Sequence, residues 1–346
     1  MGIDIVETAA AASPAEWDAF VASHEGGSFY HCYAWKSLNE RQLRHSGLYL
    51  EARDGGGSLT GILPLVVTRS RIFGSILCSL PFVNYGGPVA VDVETTKALV
   101  RAAMDHASRL GVDYLELRCA ATLETDMKAE LHKISMALNL DADPERLWNG
   151  FTSKHRTTIR RVYKDGFTVT SGGADLLPEF YSVMQHSWRD LGTPLYSPAY
   201  FRAVLDTFPE QTRVFVCRRN DEPVAVAFNG YFAGIVEGMW AGTTQVGHDM
   251  HANYVLYWEM IKDACERGYR RYHLGRSTAG SGAELFKKKW NAEVRQLYWY
   301  YHRPDGTYAP PVNVNHPVYR FGITAWRKMP LWVTRAVGPS LARVIP

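Results

Sequence analysis

The chain has 346 residues, 46% hydrophobic and 21% charged, an ordinary globular composition with apolar material for two domains of comparable size. Its formal net charge of +3 is too small for a general nucleic-acid binder, so any polyanion has to meet a local patch. The five cysteines, Cys32, Cys78, Cys119, Cys217 and Cys265, form no C-x-x-C pair, which predicts reduced core thiols and a cytoplasmic protein.

Met1 to Ala12 carries Asp4 and Glu7 but no basic region and no long apolar run, so it does not read as a signal peptide. No segment reaches the roughly 18 uninterrupted apolar residues that would span a bilayer. Phe29-Tyr30-His31-Cys32-Tyr33-Ala34-Trp35-Lys36 follows, an aromatic run ending in an ammonium group. It reads either as the wall of a sugar or nucleotide site or as packed core.

Leu48 to Arg53, a turn at Asp54 to Gly57 and Gly61 to Val67 predict a β-hairpin. Ser79-Leu80-Pro81-Phe82-Val83-Asn84-Tyr85-Gly86-Gly87-Pro88 predicts a loop in which Asn84 and Tyr85 offer hydrogen bonds. A helix is expected from about Val93 to Leu110, with Leu99, Ala103, Ala107 and Leu110 on one face, then Gly111 and the strand Tyr114 to Arg118.

The order recurs in the second half. Arg213 to Arg218, a turn at Asn220-Asp221 and Pro223 to Phe228 predict another hairpin. Tyr254, Tyr257, Trp258, Ile261, Ala264 and Cys265 recur at helical spacing before Gly268 and a strand from Tyr272 to Arg276. Two α/β units in tandem follow, residues 1–142 and 143–303, with the boundary in the acidic, proline-bearing stretch Asp141 to Trp148.

Three segments bear on chemistry. On a helix through Lys154 to Lys164, Arg156, Arg160 and Lys164 fall at i, i+4 and i+8, a positive stripe that fits phosphates or simply faces solvent. Trp188 to Tyr196 reads as a turn or binding loop. The strand through Tyr272-His273-Leu274-Gly275-Arg276-Ser277-Thr278 runs into a Gly/Ser loop and then Phe286-Lys287, which brings positive charge and flexible backbone together and suits anionic or developing-anion chemistry.

His248 and His251 lack a partner set, so no metal is predicted. Nucleophile-elbow, phosphate-loop and dinucleotide fingerprints are absent, which points to direct transfer between two bound substrates. Residues 304–346 form a proline-broken, basic, amphipathic tail with Arg320, Arg327, Lys328, Arg335 and Arg343 among aromatic and aliphatic side chains. It reads either as a helix packed on the second unit or as a segment lying on an anionic membrane.

In this order, Phe29 to Lys36, Ser79 to Gly87, Lys154-x-Arg156-x-x-Ile159-Arg160-Arg161, Arg189 to Pro194 and Leu274 to Thr278 with Phe286, Lys287 and Trp290 resemble the FemAB family over about residues 14 to 303. Within it the chain looks closest to the FemAB-like proteins associated with exosortase/PEP-CTERM exopolysaccharide systems. The resemblance implies an α/β (α+β) fold of two tandem GNAT-like domains, each a mixed, mostly antiparallel sheet flanked by helices.

It also implies transfer of an aminoacyl group from aminoacyl-tRNA to an amine of a peptidoglycan or other cell-envelope precursor. Lys287, beside Phe286, would stabilise the tetrahedral oxyanion; Arg156 and Arg160 would hold substrate phosphates; Trp35, Lys36, Asn84, Tyr85, Tyr254, Arg276 and Ser277 would complete the substrate contacts. No permanently bound cofactor is implied, only a donor co-substrate, aminoacyl-tRNA or acyl-CoA.

Three departures from the family pattern stand out, one of them Asn291, which stands where a glycine commonly follows the aromatic residue. His273 stands where an acidic residue is expected, and Gln245 to Asp249 does not complete the pyrophosphate loop of acetyl-CoA-dependent GNAT enzymes. A CoA-thioester N-acyltransferase and a non-catalytic scaffold at the inner face of the membrane are the alternative readings.

Overall fold

The computed structural model describes residues 3–7, 13–70, 74–308 and 317–345, with only the backbone of 317–319. The first half of the chain forms β1 (Asp4–Glu7), α1 (Pro14–Ser23), α2 (Ala34–Leu43), β2 (Ser46–Arg53), β3 (Leu59–Ser70), β4 (Gly74–Cys78), β5 (Val89–Ala90), α3 (Val93–Leu110), β6 (Tyr114–Cys119), β7 (Lys128–Glu130) and β8 (Lys133–Asn139). There follow α4 (Pro144–Gly150), α5 (Ser153–Lys164), β9 (Phe167–Gly172), α6 (Leu177–Leu191), α7 (Pro198–Thr207), β10 (Thr212–Arg219), β11 (Glu222–Phe232) and β12 (Ile235–Thr243). The chain ends with α8 (Gln245–Asp249), α9 (Ala252–Glu266), β13 (Arg271–Thr278), α10 (Gly282–Lys288), β14 (Glu293–Gln296), β15 (Tyr298–His302), α11 (Pro317–Lys328) and α12 (Leu331–Ala342).

These elements form two compact units, residues 1–135 with 295–312 and 344–346, and residues 136–294 with 313–343. The first holds a sheet in the order β1-β2-β3-β4-β6-β15-β7 with β5 beside β3. Among its described pairings only β4 with β6 is parallel. Helix α3 starts at Asp92, whose carboxylate accepts from the Thr95 N–H, and stops at Gly111. Its Leu99, Ala103 and Ala107 pack on Leu50, Leu63, Leu77, Leu115 and Leu117 of the sheet. Leu110, expected on the same face, is 37% exposed because it occupies the last turn.

The second unit holds a sheet in the order β14-β8-β13-β12-β11-β10-β9. The β10–β11 turn has Asn220 and Asp221 at φ 50° and 63°, the backbone of a primed hairpin turn whose twist matches its strands. Strands β12 and β13 run parallel, with Glu237 opposite His273. Val255, Leu256, Ile261 and Ala264 of α9 cover Phe215, Cys217 and Tyr272 of the sheet.

The sequence boundaries at 142/143 and 303/304 differ from this division. β8 joins the second sheet and β15, though late in the chain, joins the first, where Tyr300 pairs with Leu117. Strand pairing over such separations leaves no local composition signal. Helices α11 and α12 belong to the second unit, where they pack on α6. Pro310 and Pro311 lie outside the described residues. Trp188 to Leu191, read as loop, is the last turn of α6, which closes at Gly192. All five cysteines are buried and unbridged. Among the described residues no helix is long and apolar enough to cross a membrane.

Candidate functional site

Strand β13 turns at Gly275, which has φ +77°; a Cβ there would lie 2.8 Å from the Gly238 carbonyl oxygen of β12. Only glycine meets both conditions. The chain then leaves the sheet and starts α10 at Ser281, whose hydroxyl accepts from the Glu284 N–H, while the Glu284 carboxylate accepts from the Gly280 N–H at 2.6 Å and from Lys288 Nζ at 2.6 Å. These bonds fix the pitch of a short helix that would be marginal alone.

That pitch sends Lys287 back toward β13. Its Nζ donates to the carbonyl oxygens of Gly275 at 2.8 Å and Arg276 at 3.2 Å and to Ser277 Oγ at 3.0 Å. Three acceptors match the three N–H bonds of an ammonium group. The residue is only 6% exposed, and burial, followed by the charge of Arg276, pushes its amine down to about 7. At neutral pH the group therefore sits between a charged donor and a neutral amine.

Phe286 holds the helix in place. Its ring meets Tyr254 at 5.3 Å and Tyr257 at 5.0 Å edge-on, and the cluster continues through Trp290, His155 and Phe151. Tyr254 also accepts a hydrogen bond from Lys289 Nζ at 2.8 Å. The second unit thus brings Tyr254, Arg276, Ser277, Phe286 and Lys287 together around one strand end and one short helix.

A buried acid–base pair went unrecognised in the sequence. His273 Nδ1 lies 2.9 Å from Glu237 Oε1, with both side chains buried on adjacent strands. Glu237 thereby sets a carboxylate of β12 beside His273 of β13. A lone glutamate inside the apolar run Ile235-Val236-Glu237-Gly238-Met239-Trp240 was the available signal, since an acid is rarely fully buried unless paired.

The predicted basic stripe exists on α5, but its members do different things. Arg156 Nη1 donates to the carbonyl oxygens of Asn149 at 2.8 Å and Phe151 at 2.7 Å, satisfying groups left open at the end of α4. Arg160 is exposed, with its guanidinium 5.3 Å from the Trp148 ring centre.

In the first unit Trp35 is 1% exposed and donates to the Phe29 carbonyl oxygen at 2.9 Å; it is packed core. Lys36 is engaged by Glu40 at 2.7 Å. Asn84 donates to the Tyr30 hydroxyl at 2.7 Å, and Tyr85 stands edge-on to Tyr30. His31, whose ring burial lowers to about 4, bonds Ser28 and the Gly87 carbonyl oxygen, and Arg118 bonds the Pro81 carbonyl oxygen. The aromatic run therefore shapes the Ser79–Gly87 loop.

Gln245 to Asp249, which does not complete a pyrophosphate loop in sequence, forms the short helix α8 between β12 and α9. The Gly247 N–H bonds Thr244 Oγ1 at 3.1 Å, and those of His248 and Met250 bond carbonyl oxygens within the turn. A Cβ on Gly247 would lie 2.5 Å from the Val224 carbonyl oxygen, so this glycine serves packing.

Residues 153–288 match the acetyltransferase (GNAT) domain family, which spans α5 through α10. The chain is 22% identical over 215 residues to the lipid II:glycine glycyltransferase of Staphylococcus aureus strain COL, aligning 56% of this chain with 51% of that protein. It spans about half the length of the curated relatives it matches. In architecture it is similar to the crystal structure of FemX, at TM-score 0.68 and 14% identity over 93% of this chain and 99% of the other. It is also similar to a tandem GNAT protein from the clavulanic acid biosynthesis pathway, at TM-score 0.56 and 11% identity over 88% and 99%. The GNAT match spans the Lys287 site, and the likeness to these two structures extends a tandem GNAT-like fold over most of the chain.

Proposed function

We propose that the protein is a cytoplasmic acyltransferase that moves an aminoacyl or acyl group onto an amine of a cell-envelope or exopolysaccharide precursor. The observation that carries this reading is the Lys287 ammonium, buried and aimed by α10 at the end of β13. The acceptor nitrogen attacks the donor carbonyl carbon, forming a C–N bond and a tetrahedral oxyanion. Lys287 turns one N–H from its present acceptors to that oxygen. The intermediate collapses as the bond to the donor's leaving atom breaks, the ester oxygen of an aminoacyl-tRNA or the sulfur of a thioester, and the proton lost by nitrogen leaves with that atom. A donor fixed at the developing charge is worth about 3–4 kcal/mol.

Arg276 and Ser277 border this group, Tyr254 packs on Phe286 beside it, and all three are assigned to the donor, with exposed Arg160 on its phosphates and Arg156 holding the end of α4 in place. The Gly247 N–H, engaged by Thr244 Oγ1, and the incomplete pyrophosphate loop favour aminoacyl-tRNA over a CoA thioester. Single-turnover assays with aminoacyl-tRNA and acyl-CoA donors, against UDP-linked and lipid-linked peptide acceptors, test the reading. Transfer that depends on Lys287 supports it; full transfer by Lys287→Ala removes that residue from the chemistry, and no transfer from either donor overturns the assignment.

A further inference from the structure

Helices α11 and α12 bury one side each. Trp326 is buried, Ile323 fills the space beside Gly192, and Arg327 donates to the Leu191 carbonyl oxygen at 3.3 Å. On α12, Thr334, Gly338 and Ala342 recur every fourth position and are the buried ones. The amphipathic need of both helices is therefore met by the second unit.

Two aromatic side chains, besides the half-exposed Val337, remain outside that packing. Phe321 is 77% exposed and Trp332 is 74% exposed. Each lies two residues from a packed one, Ile323 and Thr334, and two residues correspond to about 200° around a helix, so both point away from the unit. On the same helices Arg320 and Lys328 are exposed, while Arg327 and Arg335 reach toward α6, and residues 306–346 contain no acidic side chain.

We propose that this outward face of α11 and α12 docks on an anionic lipid bilayer. An aromatic pair enters the headgroup region while the cations stay at the phosphate level, drawn there by the negative surface. A second copy of the chain is disfavoured, because an isologous contact would oppose two acid-free cationic faces. Duplex RNA offers phosphates but no apolar phase for Phe321 and Trp332. The inference does not depend on the transfer chemistry.

The test is flotation of the full chain with vesicles of phosphatidylcholine alone or mixed equally with phosphatidylglycerol, at low and high salt. Three forms are compared: the unaltered chain, Phe321→Ser/Trp332→Ser and Arg320→Glu/Lys328→Glu, each shown folded by its thermal melt. The unaltered chain should float with the anionic vesicles only, and each double variant should bind them at least tenfold more weakly. The charge variant should also lose most of the salt dependence. No flotation by the folded chain, or equal flotation by all three forms, overturns the proposal. So does loss of tRNA binding by the aromatic variant with flotation unchanged.

Discussion

Lys287 Nζ donates to the carbonyl oxygen of Gly275 at 2.8 Å, and Gly275 holds that oxygen in place by a backbone turn that its neighbour Gly238 makes unavailable to any other residue. The buried amine and the strained strand are one device. Gly275→Ala should lower stability by about 1–3 kcal/mol, the cost of a left-handed non-glycine residue with a close backbone contact. Transfer should fall far more than that loss explains. Urea melts and turnover measured on the same preparation check both.

Lys287 acts as an ammonium donor in the proposed reaction, and its amine is pushed down to about 7. Transfer should therefore fall as pH rises through about 7. Lys287→Met should lower kcat by about 10²–10³, the cost of one oxyanion donor. Lys287→Arg, which stays charged, should keep part of the activity and lose the falling limb. A profile that rises through the same pH would assign Lys287 as a base instead.

The same group makes stability depend on pH. Its folded value, about 7, lies below its ordinary 10.5, so between those pH values the unfolded chain holds more protons and stability rises with pH. The cost of charging the buried amine is fully present below about 7 and disappears toward 10.5, and it is on the order of a few kcal/mol. Lys287→Met should melt higher than the unaltered chain at pH 6, with the gap closing toward pH 10. Calorimetry across that range tests it.

Arg156 and Arg160 stand one helical turn apart and should separate cleanly. Arg156→Ala removes donors from two carbonyl oxygens at the end of α4 and should cost about 1–3 kcal/mol. Arg160→Ala, on an exposed side chain, should change stability by no more than about 0.5 kcal/mol while weakening donor binding. Denaturant melts and donor titrations of both variants decide it.

Much of the architecture was legible because it rests on local signals. The apolar period from Leu99 to Ala107 and the stop at Gly111 mark α3, and Asn220-Asp221 marks the β10–β11 turn. The strand and loop around Gly275 and Phe286-Lys287 stood out by residue type alone. What stayed hidden was set by partners distant in the chain. Trp35 reads as ligand wall or as core until its indole is seen bonded to Phe29, and the stripe on α5 looks uniform until Arg156 is found on the carbonyl oxygens ending α4.

The sequence by itself determined the tandem α/β order, the reduced cysteines and the basic, acid-free end of the chain, because hydrophobic period, turn residues and charge act over a few residues. Only the tertiary structure decided that β15 joins the first sheet, that Glu237 pairs with His273, and that Trp326 is buried while Trp332 is not. Pairing across sheets and the choice between two faces of a helix depend on which surfaces meet, and that is settled by the free energy of the whole fold.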